Sequence, residues 1–220
     1  MREVLQIYSL CKKRLKKDPE RNNMKILLII LTLLFSGCTT IKPTIAEYYL
    51  TAKDIKVKND VLGCRDKSLK IANVFSSSSL LSSKMEYMQA ENKVYSYSQS
   101  QWQESPNSMV ASILLKTMRE SELFSSVHSS KSRVKSSLIL ETSIEEFMQF
   151  FSKDLKASHV KVTINFSLID TKTNQVVSDK SFSSQVDART PDAQGGVESF
   201  REALSEILTK NLEYLSGVCR

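Results

Sequence analysis

Residues 157–170 read Ala-Ser-His-Val-Lys-Val-Thr-Ile-Asn-Phe-Ser-Leu-Ile-Asp, and apolar and polar side chains alternate along this segment from position 160 to position 168. Successive side chains of a β-strand point to opposite faces of its sheet, so this alternation predicts a strand with one buried face. The predicted buried face consists of Val160, Val162, Ile164, Phe166 and Leu168.

Two more long strands are predicted beside this one, at residues 137–151 and 175–186. The polar residues 170–174 predict the hairpin turn before the last of the three, because Asp and Asn adopt turn conformations readily. Antiparallel strands joined by short turns form a meander. Shorter strands are predicted in the earlier part of the chain, at residues 45–50, 68–75, 84–89, 93–97 and 123–127.

Two helices complete the predicted fold. Ser105 and Pro106 suit the N-cap and the first position of a helix at 106–120, whose apolar residues recur on one face. A second amphipathic pattern runs over residues 197–215, after a flexible link predicted at 192–196. The order of strands, helix, strands and helix predicts the α+β class, with an antiparallel or mixed sheet and two long amphipathic helices packed on it.

An export signal precedes this predicted domain. Lys25 is followed by an apolar run at 26–35, by two small residues ending at Gly37, and by Cys38. The run would form a helix of about 15 Å, half the thickness of a bilayer core, and its charged start and small end are typical of a signal peptide. The ending resembles a lipobox, so we expect acylation of Cys38 and cleavage between Gly37 and Cys38. The alternatives are a buried apolar helix or an uncleaved membrane anchor.

Cleavage at this point would divide the chain into a leader and signal peptide at 1–37, a lipidated tether at 38–44, and a single periplasmic domain at 45–220. Residues 1–23 are interpreted as a mis-called start or a long basic leader. Eight of the 31 basic and three of the 24 acidic residues precede the cleavage site, which leaves 23 against 21, a net charge of +2. The mature part therefore offers no charge argument for nucleic-acid binding.

The two remaining cysteines of the mature domain are Cys64 and Cys219. In an oxidising compartment we expect a disulfide between them, and closure of so long a loop would contribute about 4–5 kcal/mol at most. Free thiols or bridges to a second chain are the alternatives. No Cys-x-x-Cys or Cys/His spacing predicts a metal site, and no cofactor is expected apart from the lipid on Cys38.

Residues 147–151 place apolar side chains on both faces of a predicted strand. Phe147, Phe150 and Phe151 are therefore candidates for contact with lipid, with a partner protein or with a second copy of the chain. A strand covered on both faces is the alternative.

Catalysis is not predicted from the residue pattern. The two histidines, His128 and His159, have no nearby sequence partner in a recognisable arrangement, and the five glycines form no phosphate-binding loop. We therefore expect a protein that is not an enzyme.

Several features together resemble the ABC-type transport auxiliary lipoproteins, the PqiC-type family. They are the lipobox ending at Cys38, the sequence Tyr-Tyr-Leu at 48–50, and Trp102 four residues before Pro106. A helix that runs into 123–127 and a closing amphipathic helix complete the resemblance, which covers about residues 38–215.

The resemblance implies a non-catalytic component of an Mce/Mla-type ABC system that moves lipids between membranes. Its implied partners are an Mce-domain protein, a permease and an ATPase. Thr39, rather than Asp, follows Cys38, which under enterobacterial sorting implies the periplasmic face of the outer membrane. An envelope assembly or scaffold lipoprotein is the alternative function.

Overall fold

The computed structural model describes residues 43–53, 55, 64–90 and 92–218. Nearly all of them lie in one compact unit, Thr44–Arg220. The elements in chain order are β1 Ala46–Tyr48, β2 Cys64–Phe75, a 3₁₀ turn Ser78–Leu81, β3 Lys84–Gln89, β4 Lys93–Trp102, α1 Pro106–Glu120, β5 Phe124–His128, β6 Leu138–Phe151, β7 Ser158–Asp170, β8 Gln175–Asp187 and α2 Ala193–Val218. The strands of this described part form one open, mixed sheet with two helices packed on it, which confirms the predicted α+β class.

Strand β7 is the centre of the sheet's regular half. Its five alternating apolar residues are all buried in the core, as predicted. It pairs in antiparallel fashion with β6 from Asp170 to Ser158 and with β8 from Asp170 to His159. The predicted three-strand meander is therefore present, with each boundary within one residue of its predicted place.

The other half of the sheet is built on the second edge of β6. That edge pairs in parallel first with β2, through residues 138–143, and then with β3, through 149–151. β5 extends the sheet beyond β2, whereas β4 and then β1 extend it beyond β3. The sheet thus carries two wings, β5–β2 and β1–β4–β3, which share one long strand.

The two helices cover different parts of this sheet. α1 packs on β2 and β5, and α2 packs on β7 and β8. α1 has the predicted bounds, and Ser105 occupies its N-cap position, where the Ser105 carbonyl accepts hydrogen bonds from the Ser108 and Met109 amides. No helix in the described ranges is both long enough and apolar enough to cross a bilayer.

The flexible link predicted at residues 192–196 is wrong, because α2 already begins at Ala193. Asp192 caps it: the Asp192 Oδ1 accepts a hydrogen bond of 2.8 Å from the Gly195 amide. A Cβ atom at Gly195 would lie 2.1 Å from the Thr190 carbonyl oxygen, and one at Gly196 would lie 2.2 Å from the Gln149 Oε1. The two glycines therefore permit close packing at the start of a helix, and their presence does not indicate a loop.

Candidate functional site

A cluster of exposed and half-buried apolar side chains lies where two turns leave the sheet side by side. Gln89 of β3 pairs with Lys93 of β4 and also with Phe151 of β6, which in turn pairs with Ser158 of β7. The β3–β4 turn and the β6–β7 turn therefore emerge at the same end of the sheet. We call this end the tip and define it by Met88, Val94, Tyr95, Phe150, Phe151 and Leu155.

The outer face of the tip, away from the helices, carries a transverse row of three apolar residues and one histidine. Val94, Met88, Phe150 and His159 are successive register partners across β4, β3, β6 and β7. The Phe150 and His159 rings stack with centroids 5.2 Å apart, and Val94 is 50 % exposed. An open depression of about 490 Å³ is lined by Met88 and Phe150 of this row, by Phe151 and by residues of the two turns.

The inner face of the tip carries an aromatic cluster centred on Tyr87. Its ring centroid lies 4.7 Å from that of Tyr97, 5.0 Å from that of Phe151 and 5.7 Å from that of Tyr95. Burial raises the pKa of the Tyr97 phenol above its ordinary value, and the neighbouring Tyr87 adds to this shift. The Tyr97 hydroxyl therefore stays protonated and donates a hydrogen bond of 3.1 Å to the Gln149 Oε1.

Gln149 connects the aromatic cluster to the body of the domain. It is 1 % exposed, and its Nε2 donates to the Ser158 Oγ at 2.9 Å and to the Asp192 carbonyl at 3.1 Å. One buried carboxamide thus joins β4, β6, β7 and the start of α2. A buried amide that is hydrogen-bonded in this way fixes the positions of the side chains around it. The aromatic cluster is therefore attached rigidly to the body of the domain.

The β6–β7 turn presents a leucine to solvent. Leu155 has a φ of 60° and is 46 % exposed. The Asp154 carboxylate accepts hydrogen bonds from the Ser152 hydroxyl at 2.7 Å and from the Lys156 amide at 3.3 Å, and these bonds hold the pKa of Asp154 below its ordinary value. The turn is therefore closed from within by an ionised carboxylate, and Leu155 is its outward-pointing apolar group.

The structure separates the three phenylalanines predicted as contact residues. Phe150 and Phe151 lie at the tip. Phe147 is 6 % exposed and lies in the core, where its ring stacks on that of Phe200 with centroids 4.0 Å apart. The register of β6 against β7 shifts between Ile144 and Glu146, so that Ile144 and Phe147 both face the core although they are three positions apart. Phe147 is thus a core residue, and this correction leaves two of the three as surface candidates.

Tyr87, Tyr95 and Tyr97 fall in the strands predicted at 84–89 and 93–97, and they were not predicted to belong to a site. The two-residue spacing of Tyr95 and Tyr97 could have indicated a shared face. Leu155 was also missed, and its signal was a lone apolar residue within a polar turn.

A second concave region lies between α1 and the edge of β2. β5 has its last register partner at Lys70, whereas β2 continues to Phe75, so the later residues of β2 have an unpaired edge there. The resulting groove measures about 610 Å³, and its lining is mixed, with Glu104 and Lys131 as its charged members. Because polar and charged side chains form part of its lining, it is a weaker candidate for contact with an apolar ligand than the tip.

Both histidines make contacts that are common for structural histidines, a hydrogen bond to a hydroxyl and a stack on an aromatic ring. The His128 Nε2 lies 3.1 Å from the Ser126 Oγ, and His159 stacks on Phe150. Among the described residues, no group of three or more His, Cys, Asp or Glu side chains is placed to hold a metal ion. Cys64 is buried at the start of β2, whereas Gly37, Cys38 and Cys219 lie outside the described residues, so lipidation and disulfide pairing stay predictions.

These observations define a small α+β domain whose candidate site is an exposed apolar tip. The chain belongs to the family of ABC-type transport auxiliary lipoprotein components, whose model matches residues 48–210, or 163 of the 220 residues. The resemblance inferred from the sequence is thereby confirmed, and membership implies association with the cell envelope and with an ABC transport system. No curated protein matches the chain.

Solved structures show the same fold. A protein of Xanthomonas campestris, assigned to the family DUF330, superimposes with a TM-score of 0.70 at 13 % identity and covers 79 % of this chain and 96 % of its own. An uncharacterised protein superimposes with a TM-score of 0.60 at 10 % identity and covers 78 % and 98 % respectively. At these identities the likeness is one of fold alone.

Proposed function

We propose that this protein is the non-catalytic, lipid-anchored component of an Mce/Mla-like ABC system for intermembrane lipid transport. Cys38 carries the lipid and holds the domain at the periplasmic face of the outer membrane. The observation that carries this proposal is the family match, which extends from β1 almost to the end of α2. The proposed partners are an Mce-domain protein, a permease and an ATPase.

A lipid anchor raises the local concentration of the domain beside partners on the same membrane. Acyl chains contribute about 0.8 kcal/mol for each buried CH₂ group, so two or more chains hold a protein stably on a membrane. A domain confined in this way meets partners on the same surface at a high effective concentration. An auxiliary component can then act through contact alone, and the exposed apolar tip suits such a role.

A disulfide between Cys64 and Cys219 belongs to this proposal, because an envelope compartment allows it. The Ser178 hydroxyl, in β8, donates to the Tyr214 hydroxyl near the end of α2 at 2.8 Å. Ser178 lies in register, through Leu168 and Leu140, with Ile71 of β2. α2 starts beside Gln149, near the end of β6, and contacts Ser178 near its own end, so it runs towards the end of the sheet at which β2 begins. This direction supports the pairing.

Replacing Cys38 by alanine tests the anchor and the function together. We expect the Cys38→Ala protein to lose labelled palmitate and membrane association and to fail in transport, while its domain still folds, because the thiol is the acylation site. The matched control is Cys11→Ala, in the leader, which should keep the label. Acyl labelling, membrane fractionation and a transport assay measure these outcomes.

Co-purification tests the partners. Detergent-solubilised wild-type protein should capture an Mce-domain protein encoded nearby. Recovery of envelope assembly proteins in its place would favour the scaffold function. An unlabelled wild-type protein found in the cytosol would contradict the anchor itself.

A further inference from the structure

We propose that the tip inserts into the headgroup region of the membrane that holds the lipid on Cys38, as a second, non-covalent point of attachment. This inference rests on the proposed lipid anchor and adds an orientation to it: the domain stands with the β3–β4 and β6–β7 turns towards the bilayer.

The first observation is the direction in which the chain reaches the domain. β1 pairs in parallel with β4, with Ala46 opposite Ser100. Because β4 starts at Lys93, at the tip, the N-terminal end of β1 is directed towards the tip. From Ser100 back to Lys93 is a distance of about 23 Å at the usual rise of a strand. The eight residue steps from Ala46 to Cys38 can span at most about 26–29 Å. The tether can therefore place its lipid level with the tip.

The second observation is the chemistry of the surface. Val94, Tyr95 and Leu155 are 50 %, 42 % and 46 % exposed, so a large part of each side chain is accessible to solvent or lipid. Tyrosine concentrates at membrane interfaces because its ring is apolar and its hydroxyl is polar. At the tip, apolar groups lie on both faces of the end of the sheet. A fluid headgroup layer can surround both faces at once, whereas a rigid protein surface would cover one of them.

The third observation is the charge. The two turns, residues 89–93 and 152–157, contain the cations Lys93, Lys153 and Lys156 and two acidic residues. The near balance indicates that attachment depends on apolar insertion, whereas a strongly basic surface would depend on anionic lipids. The lysine stems can lie along the apolar surface while the ammonium groups reach water. We therefore expect attachment to zwitterionic lipid, with little dependence on salt.

The test places a fluorescent reporter at the tip of the full-length protein reconstituted into phosphatidylcholine vesicles that contain brominated lipid, which quenches tryptophan at short range. The reporter variants are Leu155→Trp and, since Leu155 has a positive φ, Val94→Trp as an independent second variant. The matched control is Val176→Trp: Val176 is 59 % exposed and lies next to the β7–β8 turn, at the opposite end of the sheet. The native Trp102 is buried and gives the same background in every variant.

We expect the emission of the tip reporters to lose most of its intensity in brominated vesicles and the emission of Val176→Trp to keep its intensity, at low and at high salt alike. Equal quenching at both ends, or no quenching at the tip, would overturn the proposal. A blue shift of the tip reporters without lipid, at concentrations where the protein self-associates, would also overturn it in favour of a contact between copies. Emission that reports burial of the tip only after an Mce-domain partner is added would likewise overturn the proposal. Palmitate labelling of the same samples reports the anchor separately, so failure of the anchor and failure of the tip contact give different results.

Discussion

Replacing Phe147 by alanine is expected to lower the free energy of unfolding by about 3–5 kcal/mol, the usual cost of removing a large buried aromatic side chain. The Phe147 side chain packs between its own strand, β6, and α2. Its ring stacks on that of Phe200, and its ring centroid lies 6.1 Å from that of Trp102. Its removal would leave a cavity under the start of α2 that rigid neighbours can fill only in part. Urea denaturation, followed through the fluorescence of the single Trp102, measures the loss directly.

The matched control is Phe150→Ala, three positions along the same strand. Phe150 is half-buried on the outer face and stacks on His159 alone among the aromatic side chains of the described part. Its loss should cost about 1–2 kcal/mol, because much of its surface is already in contact with water. A Phe150→Ala protein as unstable as Phe147→Ala would contradict the division between core and tip.

The second large effect concerns the first turn of α2. Gly195→Ala should destabilise the domain by about 2–3 kcal/mol, because the added Cβ meets the backbone carbonyl of Thr190, which cannot rotate away. The backbone itself is not the obstacle, since none of the described glycines has a positive φ. Thermal or chemical denaturation of the purified mature protein measures the change.

Gly217→Ala, in the same helix, should change the free energy of unfolding in the opposite direction. A Cβ at Gly217 would meet nothing within 4 Å, so alanine should stabilise α2 by up to about 1 kcal/mol through its higher helix propensity. If Gly195→Ala left the stability unchanged or raised it, as Gly217→Ala is expected to, the close approach at Gly195 would not describe the folded protein in solution.

The parts of the fold that depend on local pattern could be predicted from the sequence. Two patterns repeat within a few residues: the alternation at 160–168 and the amphipathic spacing of α1. The bounds of β7 and α1 follow closely from these patterns. The parallel pairing of β2 and β3 on one edge of β6 could not be predicted, because it joins residues about 60–70 positions apart with no local signal.

The candidate site was predictable only in part, for a related reason. An apolar run at residues 147–151 indicated an exposed surface, and two of its three phenylalanines lie there. The register shift after Ile144 decides which side chains face the core, and a single inserted residue leaves no mark on the pattern of apolar residues. The aromatic cluster around Tyr87 forms only when the hairpin β3–β4 lies beside β6. Likewise, Gly195 and Gly196 suggested a loop because their close neighbours, Thr190 and Gln149, are identified only by the three-dimensional structure.

The sharing of β6 among three strands bears on which changes in length the protein can tolerate over evolution. A residue added within β6 would, unless a second register shift absorbed it, invert every later side chain on that strand against both β7 and β3. Extra residues in the β7–β8 turn would disturb a single hairpin. Length variation among relatives should therefore gather in the turns, while β6 keeps a fixed number of residues.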